Sequence, residues 1–587
     1  MKFISSKHLI ILAITALFFT VLPFIHTFLT LGASPRVPVG IYNDTDYYYD
    51  RMQEVADGHP FLGNPYFFEH RDAPAPAFFA ADWISAVPLI LGLPLMTAIH
   101  VNLFLWSFIF LLLTYVLITV LGFRKAALAG SMLCYLELYL FIIRPVSMQV
   151  IFPFFIAFLI AYALWLREPE SRKKMLFLGI AGASSAYVYT YAWQIVVVAF
   201  LLTAALFWYS GRKNLLTAWF RVFGIFILAS LPLIMYTLKQ LNHPDYWQTM
   251  DRIGLLYTHL PTAAALYSCL PVLIIFLVGL MFRRMIDRQS ALFFSIVGLA
   301  AVAVTWSNLI TGKDLELPQH VERFIIYLLS LATACLFSLV WERRGDLKLF
   351  KPRQLAIVTV LIGFLLVANV RYLIQYGPSV IPLSSYGKEL SENIQGFEKP
   401  LSWLRENVRE PSVIWGDPHG RIVRYVTMLT PHYVLWRAGG ALHLLSSREV
   451  EERYLTANYF HLTKNDLFLD YQEYAGVGNS EHKYRTYNRK VKLCRMFRLD
   501  WFRDCGSMTT AVGYAGEEYF DDLYRRYERD IRPNISELLT TYKVAYGITD
   551  KETDTGHFKP SLLSNASLVY DDGRFTIYKL DNRSRAR

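Results

Sequence analysis

The sequence predicts a polytopic α-helical membrane protein of about eleven spans followed by a mixed α/β domain, and three observations carry that expectation. Of 587 residues 54% are apolar and 16% aromatic, and the mean hydropathy is positive at +0.31, beyond what a soluble globular chain of this size carries. Apolar runs of about 20 residues, enough to cross a hydrocarbon core, follow one another through the first two-thirds of the chain. Lys and Arg gather in alternate connectors between those runs, as they do on the cytoplasmic side of membrane proteins.

The first run, 8–32, is longer than a signal-peptide core and precedes no small-residue cleavage pattern, so it reads as a retained anchor with residues 1–7 in the cytoplasm. Further runs lie at 95–122, 126–144, 148–166, 175–192, 194–210, 215–238, 262–282, 290–310, 321–341 and 354–374. Predicted inner connectors carry Arg124 and Lys125; Arg167, Arg172, Lys173 and Lys174; Arg212 and Lys213; Arg283, Arg284 and Arg288; and Arg343, Arg344, Lys348, Lys351 and Arg353. Most of the net charge of +11 follows from that topology and calls for no nucleic-acid partner. An odd number of spans places the C-terminal part outside the cytoplasm.

The expected division is a membrane domain over 1–375, including a first outer loop at 33–82, and an extracytoplasmic α/β domain over 376–587, with a linker at 378–388. In the second part, 400–408 has amphipathic helical spacing, 412–415 reads as a short strand, and 447–460 reads as a helix opened by a serine cap. The runs 568–570 and 575–580 flank Asp571-Asp572-Gly573-Arg574 and predict a hairpin. Three of the five cysteines, Cys134, Cys269 and Cys335, fall inside spans. Cys494 and Cys505 lie in the outer domain, where an oxidising compartment allows a disulfide between them. The basic, aromatic-rich segment 482–503 reads either as a surface for anionic lipid or glycan phosphate or as an ordinary solvated face.

Candidate chemistry begins right after the anchor, where Tyr42-Asn43-Asp44-Thr45-Asp46-Tyr47-Tyr48-Tyr49-Asp50-Arg51 sets carboxylates and aromatic rings at the mouth of a span. A carboxylate there can take a proton or hold a divalent ion, and rings can stack on a sugar, while the plain alternative is an acidic loop with an interfacial aromatic belt. The order of anchor, acidic first loop, many spans and outer α/β domain resembles the GT-C superfamily of membrane glycosyltransferases. Asp46 followed by aromatics, Arg51 and an acidic helix resembles the first-loop motif of the oligosaccharyltransferase catalytic subunit, over about thirty residues of this chain.

That resemblance implies transfer of a sugar or oligosaccharide from a polyprenyl-phosphate-linked donor to a glycan, lipid or protein acceptor at the non-cytoplasmic face. It implies Asp46 as catalytic carboxylate and Asp44 as its helper, with a divalent ion such as Mg or Mn as a candidate ligand of both. Cations must then meet the donor phosphate. Lys313, His320 and Arg323 in the loop entering the tenth span are candidates, the latter two sharing a helix face, and Arg144 just before Pro145 is another. For each the alternative is an interfacial structural role. Glu137 within the third span and the cluster Tyr187, Tyr189, Tyr191 and Trp193 divide in the same way between a functional and a structural role.

Two departures accompany the resemblance. Where the oligosaccharyltransferase subunit carries a Trp-Trp-Asp motif, this chain has Trp415-Gly416-Asp417, candidates for the acceptor side, although Asp-Pro followed by Gly is also ordinary turn chemistry. Where that subunit carries an acidic pair after the third span, this chain has Arg-Pro-Val-Ser-Met-Gln, so matched residues do not complete a metal site. A non-catalytic scaffold that binds lipid-linked glycan, and a transporter, are the competing readings; the chain shows no paired Gly/Pro-broken spans of the kind many transporters carry.

Overall fold

The computed structural model describes residues 4–31, 35–38, 44–76, 79–255, 259–261, 265, 269, 286–314, 318–342, 356, 360, 363, 392–475 and 482–581. Apart from those single positions, the expected spans at 262–282 and 354–374 lie outside the described residues, as do the linker at 378–388 and the domain boundary at 375–376.

Among the described residues eight helices are long and apolar enough to cross a membrane. They are built on α1 (Ser6–Leu31), α4 (Leu95–Val120), α5 (Ala127–Ile142), α6 (Ser147–Arg167), α8 (Thr190–Tyr209), α9 (Lys213–Leu241), α11 (Arg288–Thr305) and α12 (Glu322–Glu342). The fifth expected span is α7 (Arg172–Val188), which packs between α6 and α9. Its first turn holds three cations, so its apolar part is short. The expected break near residue 193 falls instead at Tyr189, a single extended residue (φ −164°, ψ 144°) between α7 and α8.

Three connectors expected on one side do meet: Arg167 lies 3.9 Å from Asp287, and beside it the Ser290 hydroxyl donates to the carbonyl of Leu121, at the edge of the connector that carries Arg124 and Lys125. The first loop holds α2 (Thr45–Ala56) and the short apolar α3 (Ala80–Ile90), which pack on each other. A further short helix, α10 (Tyr246–Arg252), follows α9.

The C-terminal domain is built on one five-stranded mixed sheet, in the order β2-β1-β3-β5-β4. Its strands are β1 (Val413–Gly416), β2 (Tyr433–Val434), β3 (Val544–Asp550), β4 (Ala566–Asp571) and β5 (Phe575–Leu580). Strand β1 runs parallel to both neighbours and is buried along its length, as a strand covered on two faces must be. The predicted hairpin is β4–β5, closed by Asp572 accepting from the Phe575 amide and by Gly573 at φ 94°.

Helices α13 (Glu398–Asn407) and α14 (Val423–Leu429) pack on the sheet, and α15 (Ser447–Ala457), α16 (Lys464–Leu469) and α17 (His482–Met496) belong to the same part of the chain. The serine that caps α15 is Ser446, whose hydroxyl accepts from the Glu449 amide, and the helix stops three residues before 460. Cys494 and Cys505 form a disulfide.

The first loop is seated in this domain. The Val434 amide donates to the Tyr66 carbonyl at 2.9 Å, and Asn64 donates to the Gly440 carbonyl at 3.0 Å. Arg453 lies over the Phe67 ring while donating to Glu69 at 2.6 Å and Glu449 at 2.9 Å. Loop and C-terminal domain therefore lie on the same side of the membrane part.

Candidate active site

The acidic stretch becomes the N-terminal half of α2. Asp44 precedes the helix, Asp46 is in its first turn, and Asp50 lies one turn on, so Asp46 and Asp50 share a face. That face is turned to the C-terminal domain, where α14 packs on α2. Arg437 reaches across: Nη2 donates to Asp46 Oδ2 at 2.7 Å, and Nη1 donates to Asp50 Oδ2 at 2.7 Å and to the Arg424 carbonyl at 2.9 Å. The guanidinium also lies over the Tyr66 ring, 4.7 Å from its centroid.

Asp50 is sealed from solvent and further held by Thr427 at 2.8 Å and Tyr66 at 2.9 Å, both donating hydroxyls. Burial pushes its carboxyl up to about 7, a rise the nearby Arg437 charge reduces but does not cancel. Asp46 is different: its side chain is 22% exposed, with Oδ1 accepting from the neighbouring Tyr47 amide.

Asp44 pairs with Arg144, which also lies over the Tyr48 ring at 5.2 Å. Arg144 comes from the turn between α5 and α6, where Val146 takes φ 59°. A β-branched residue in that region stores about 1–3 kcal/mol of strain, which the surrounding packing must sustain. Below the pair, Arg51 makes a bidentate bond to Asp82 of α3 at 2.9 and 2.6 Å and a third bond to the Tyr47 hydroxyl, so the orientation of α2 is fixed by a buried ion pair. His443 packs against Tyr47 and Tyr66; burial and the charge of Arg51 hold its imidazole down at about 3 and therefore neutral.

The candidate residues thus separate into groups. Asp44, Asp46 and Arg144 come together, and Arg437 and Asp50, which the sequence reading did not single out, complete the cluster. The acidic pair is met by arginines from the α5–α6 turn and the C-terminal domain. Lys313 lies over the Trp247 ring at 4.3 Å, Tyr189 and His320 are hydrogen-bonded at 2.9 Å, and buried Arg323 lies over Phe141 at 4.8 Å. Phe141 is three residues before Arg144, so Arg323 packs on the last turn of α5, just before the turn that carries Arg144.

Trp415 and Asp417, the expected acceptor-side groups, lie at the end of β1 and in the turn after it. Trp415 has no exposed surface; it sits in the central strand, stacks on Phe460 and donates its indole N–H to the Ala457 carbonyl. Asp417 borders a cleft of about 220 Å³, yet its oxygens are taken by the His419 amide and by the Thr555 amide and hydroxyl. It is a turn residue. Beside α2, a space lined by Tyr49, Met52, Asn102 and Gln149 measures only about 10 Å³, room for one water, so α2 is closely packed on the spans.

A divalent ion is a poor match to this cluster. Such an ion takes about six oxygen ligands, whereas Asp44 and Asp46 are each held by a guanidinium, whose charge would repel it. Among the described residues no group of three His, Cys, Asp or Glu converges as metal ligands. What the cluster offers is two partly exposed carboxylates and two guanidiniums, an arrangement suited to proton transfer and to binding of a phosphate.

No protein-family pattern matches the chain, and no curated protein matches it in sequence. Among solved structures it is similar to ArnT from Cupriavidus metallidurans in the apo state, with 13% identity over 96% of this chain and 97% of that one, at a TM-score of 0.45. It is also similar to the oligosaccharyltransferase AglB from Archaeoglobus fulgidus, solved with an inhibitory peptide and a dolichol-phosphate, with 11% identity over 93% of this chain and 70% of that one, at a TM-score of 0.44. Both likenesses are remote, and what the cluster can do is read from its own residues.

Proposed function

We propose that the chain is a GT-C-type membrane glycosyltransferase that moves a sugar or oligosaccharide from a polyprenyl-phosphate-linked donor to an acceptor on the non-cytoplasmic face. The observation that supports this reading is the pairing of Asp44 with Arg144 and of Asp46 with Arg437, in which each carboxylate meets an arginine from a different part of the chain. A guanidinium held by a half-exposed carboxylate can exchange that partner for a phosphate, which it binds bidentately. In this reading the donor phosphate takes up Arg144 and Arg437, with His320, Arg323 and Lys313 along its path, and Asp46 is released toward the acceptor.

The acceptor oxygen or nitrogen then forms its bond to the anomeric carbon as the bond from that carbon to the phosphate oxygen breaks. Its proton passes to Asp46, and the departing phosphate keeps the bonding pair, its charge held by the arginines. Asp44 keeps Arg144 in place between turnovers. No step is assigned to a metal ion.

The test is turnover in proteoliposomes loaded with a polyprenyl-phosphate-linked sugar and supplied with a membrane glycolipid and glycoprotein extract as the source of acceptor, read as acceptor-dependent release of polyprenyl phosphate. Asp46→Ala is expected to lower release by about 10²–10⁴-fold while membrane insertion is unchanged; full release by that variant would overturn the reading. The competing reading, a scaffold that binds lipid-linked glycan without turning it over, draws on the same ion pairs, since both carboxylates are already neutralised. It predicts saturable donor binding with no release by the unaltered protein.

A further inference from the structure

Helix α17 ends in a segment that exposes large apolar side chains by construction. Phe497 is 67% exposed, Trp501 74% and Phe502 86%, and Met508 is exposed beside them. Exposed rings of this size in one short segment mark an interaction surface. The segment is tied back three times. The Cys494–Cys505 disulfide closes it, the Asn488 amide pairs with both the N–H and the carbonyl of Thr509, and Arg495 donates to the Gly506 carbonyl at 2.6 Å. The rings are held outward by a closed frame.

The other end of α17 shows where that frame stands. Arg485 and Arg489, one turn apart on one face, donate to the carbonyls of Gly254 and Leu260, and Arg489 lies 4.0 Å from Asp314. Asp314 comes three residues after the apolar run Arg288–Thr311 ends, so this face of α17 rests on the end of a span. Continued along the helix, the same face carries Lys492 and Met496 and leads into the exposed rings. Charge favours a negatively charged partner: Lys490, Lys492, Arg495, Arg498 and Arg503 stand against Asp500 and Asp504.

We propose that segment 494–508 docks on the anionic headgroup surface of the bilayer that the chain itself spans, with Trp501 and Phe502 entering the interface and the arginines meeting lipid phosphates. The docked segment braces the C-terminal domain, and with it Arg437, against the membrane. This proposal does not depend on the reading of the activity.

The experiment uses the full chain in nanodiscs made either of phosphatidylcholine alone or with added phosphatidylglycerol, each containing a photoactivatable acyl-chain lipid, with adducts located by mass spectrometry. Adducts are expected to concentrate on 496–502, to rise at least about fivefold with phosphatidylglycerol, and to fall about fivefold for each charge lost in Arg498→Gln and Arg503→Gln. Trp501→Ser/Phe502→Ser is expected to lose them in both compositions. The exposed Leu562 and Leu568 of the same domain serve as the internal control. An adduct yield on 496–502 no higher than on the control segment would overturn the proposal, as would equal yields in the two compositions. So would protection of the segment only where the protein self-associates, which would assign the surface to a second copy.

Discussion

Two acidic clusters in this molecule look alike in composition and differ in what holds them. In the C-terminal domain, Asp417, Asp550 and Asp554 surround the ends of β1 and β3. There Asp417 is satisfied by its own turn and by Thr555, while Asp550 accepts from the Glu552 amide and the Thr553 hydroxyl and takes a bidentate bond from Arg574 at 2.8 and 2.8 Å. In the first loop, Asp44 is held by the guanidinium of Arg144 and Asp46 by that of Arg437, both from distant segments, and Asp46 also accepts from the Tyr47 amide. A carboxylate locked by backbone N–H groups is part of a turn. One held by a long cationic side chain can change partners without unfolding anything.

The strongest way to break this comparison is to remove one carboxylate from each cluster. Asp46→Ala is expected to lower donor turnover by about 10²–10⁴-fold with little loss of thermal stability, the size of a general-base contribution. Asp417→Ala should leave turnover per folded molecule near normal and lower stability by about 1–3 kcal/mol, because the Thr555 donors lose a buried acceptor. Turnover assays paired with thermal unfolding in detergent separate the two outcomes. A turnover defect in Asp417→Ala as large as that of Asp46→Ala would erase the distinction.

Next in size is the cation. Arg437→Ala leaves Asp50 buried without its ionic partner and unlinks the loop from the domain, at an expected cost of about 3–5 kcal/mol. Adding Asp50→Asn should restore part of that loss, since the uncompensated charge is gone. Failure of the double variant to recover any stability would show that the cost lies in packing over Tyr66 rather than in charge.

Titration sharpens the comparison further. Asp50 binds its proton more tightly folded, at about 7, than an unfolded aspartate does near 4, so the folded state gains stability that is complete below about 4 and is lost as pH rises through 7. Asp554, pushed up to about 7 mainly by burial, acts in the same sense. Asp550 acts oppositely: although burial raises it, the bonds from Arg574 and Thr553 hold it below the usual range, so its contribution is present above about 4 and fades as pH falls. Asp50→Asn and Asp554→Asn should each flatten the decline of stability between pH 4 and 7. Only Asp50→Asn should also shift the pH profile of turnover, because Asp50 shares Arg437 with Asp46. Identical profiles in the two variants would place Asp50 with the structural carboxylates.

How much of this was legible in the sequence follows from the range of each interaction. Spans, anchor, hairpin and the acid-rich first loop are local patterns, and the apolar period or turn residues reveal them directly. The Asp46–Asp50 spacing of four was also in the sequence, as a shared helix face, but reads as loop composition until the helix is known. Arg437 lies 391 positions from Asp46, and nothing local to Leu435-Trp436-Arg437 announces the pairing. Trp415 shows the reverse: its residues resemble a recognition motif, while the sheet order that buries the strand is a tertiary fact. The candidate phosphate cations Lys313, His320, Arg323 and Arg144 are all read from span ends, where headgroup depth is legible, whereas Arg437 reaches the acidic pair through a contact between domains that is not.

The smallest expected effect probes the seat of the first loop itself. Behind Arg437 come Gly439 and Gly440, and a Cβ on Gly440 would fall within 3.0 Å of the Phe67 ring, while one on Gly439 would crowd the Tyr66 ring. Both rings are fully buried, and Phe67 lies between Trp436 and Arg453, so neither can swing aside freely. Gly440→Ala is expected to cost about 1–3 kcal/mol by overpacking. Because Tyr66 donates to Asp50, the displaced loop should also weaken that bond and disturb the Asp46–Arg437 pair, lowering turnover several-fold. The equivalent insult to the structural cluster is Gly420→Ala, where the new methyl meets Asp554 and the Asp417 turn; it should cost similar stability and leave turnover per folded molecule unchanged. Equal turnover losses in the two glycine variants would mean that the first-loop cluster is no more coupled to function than the turn at Asp417.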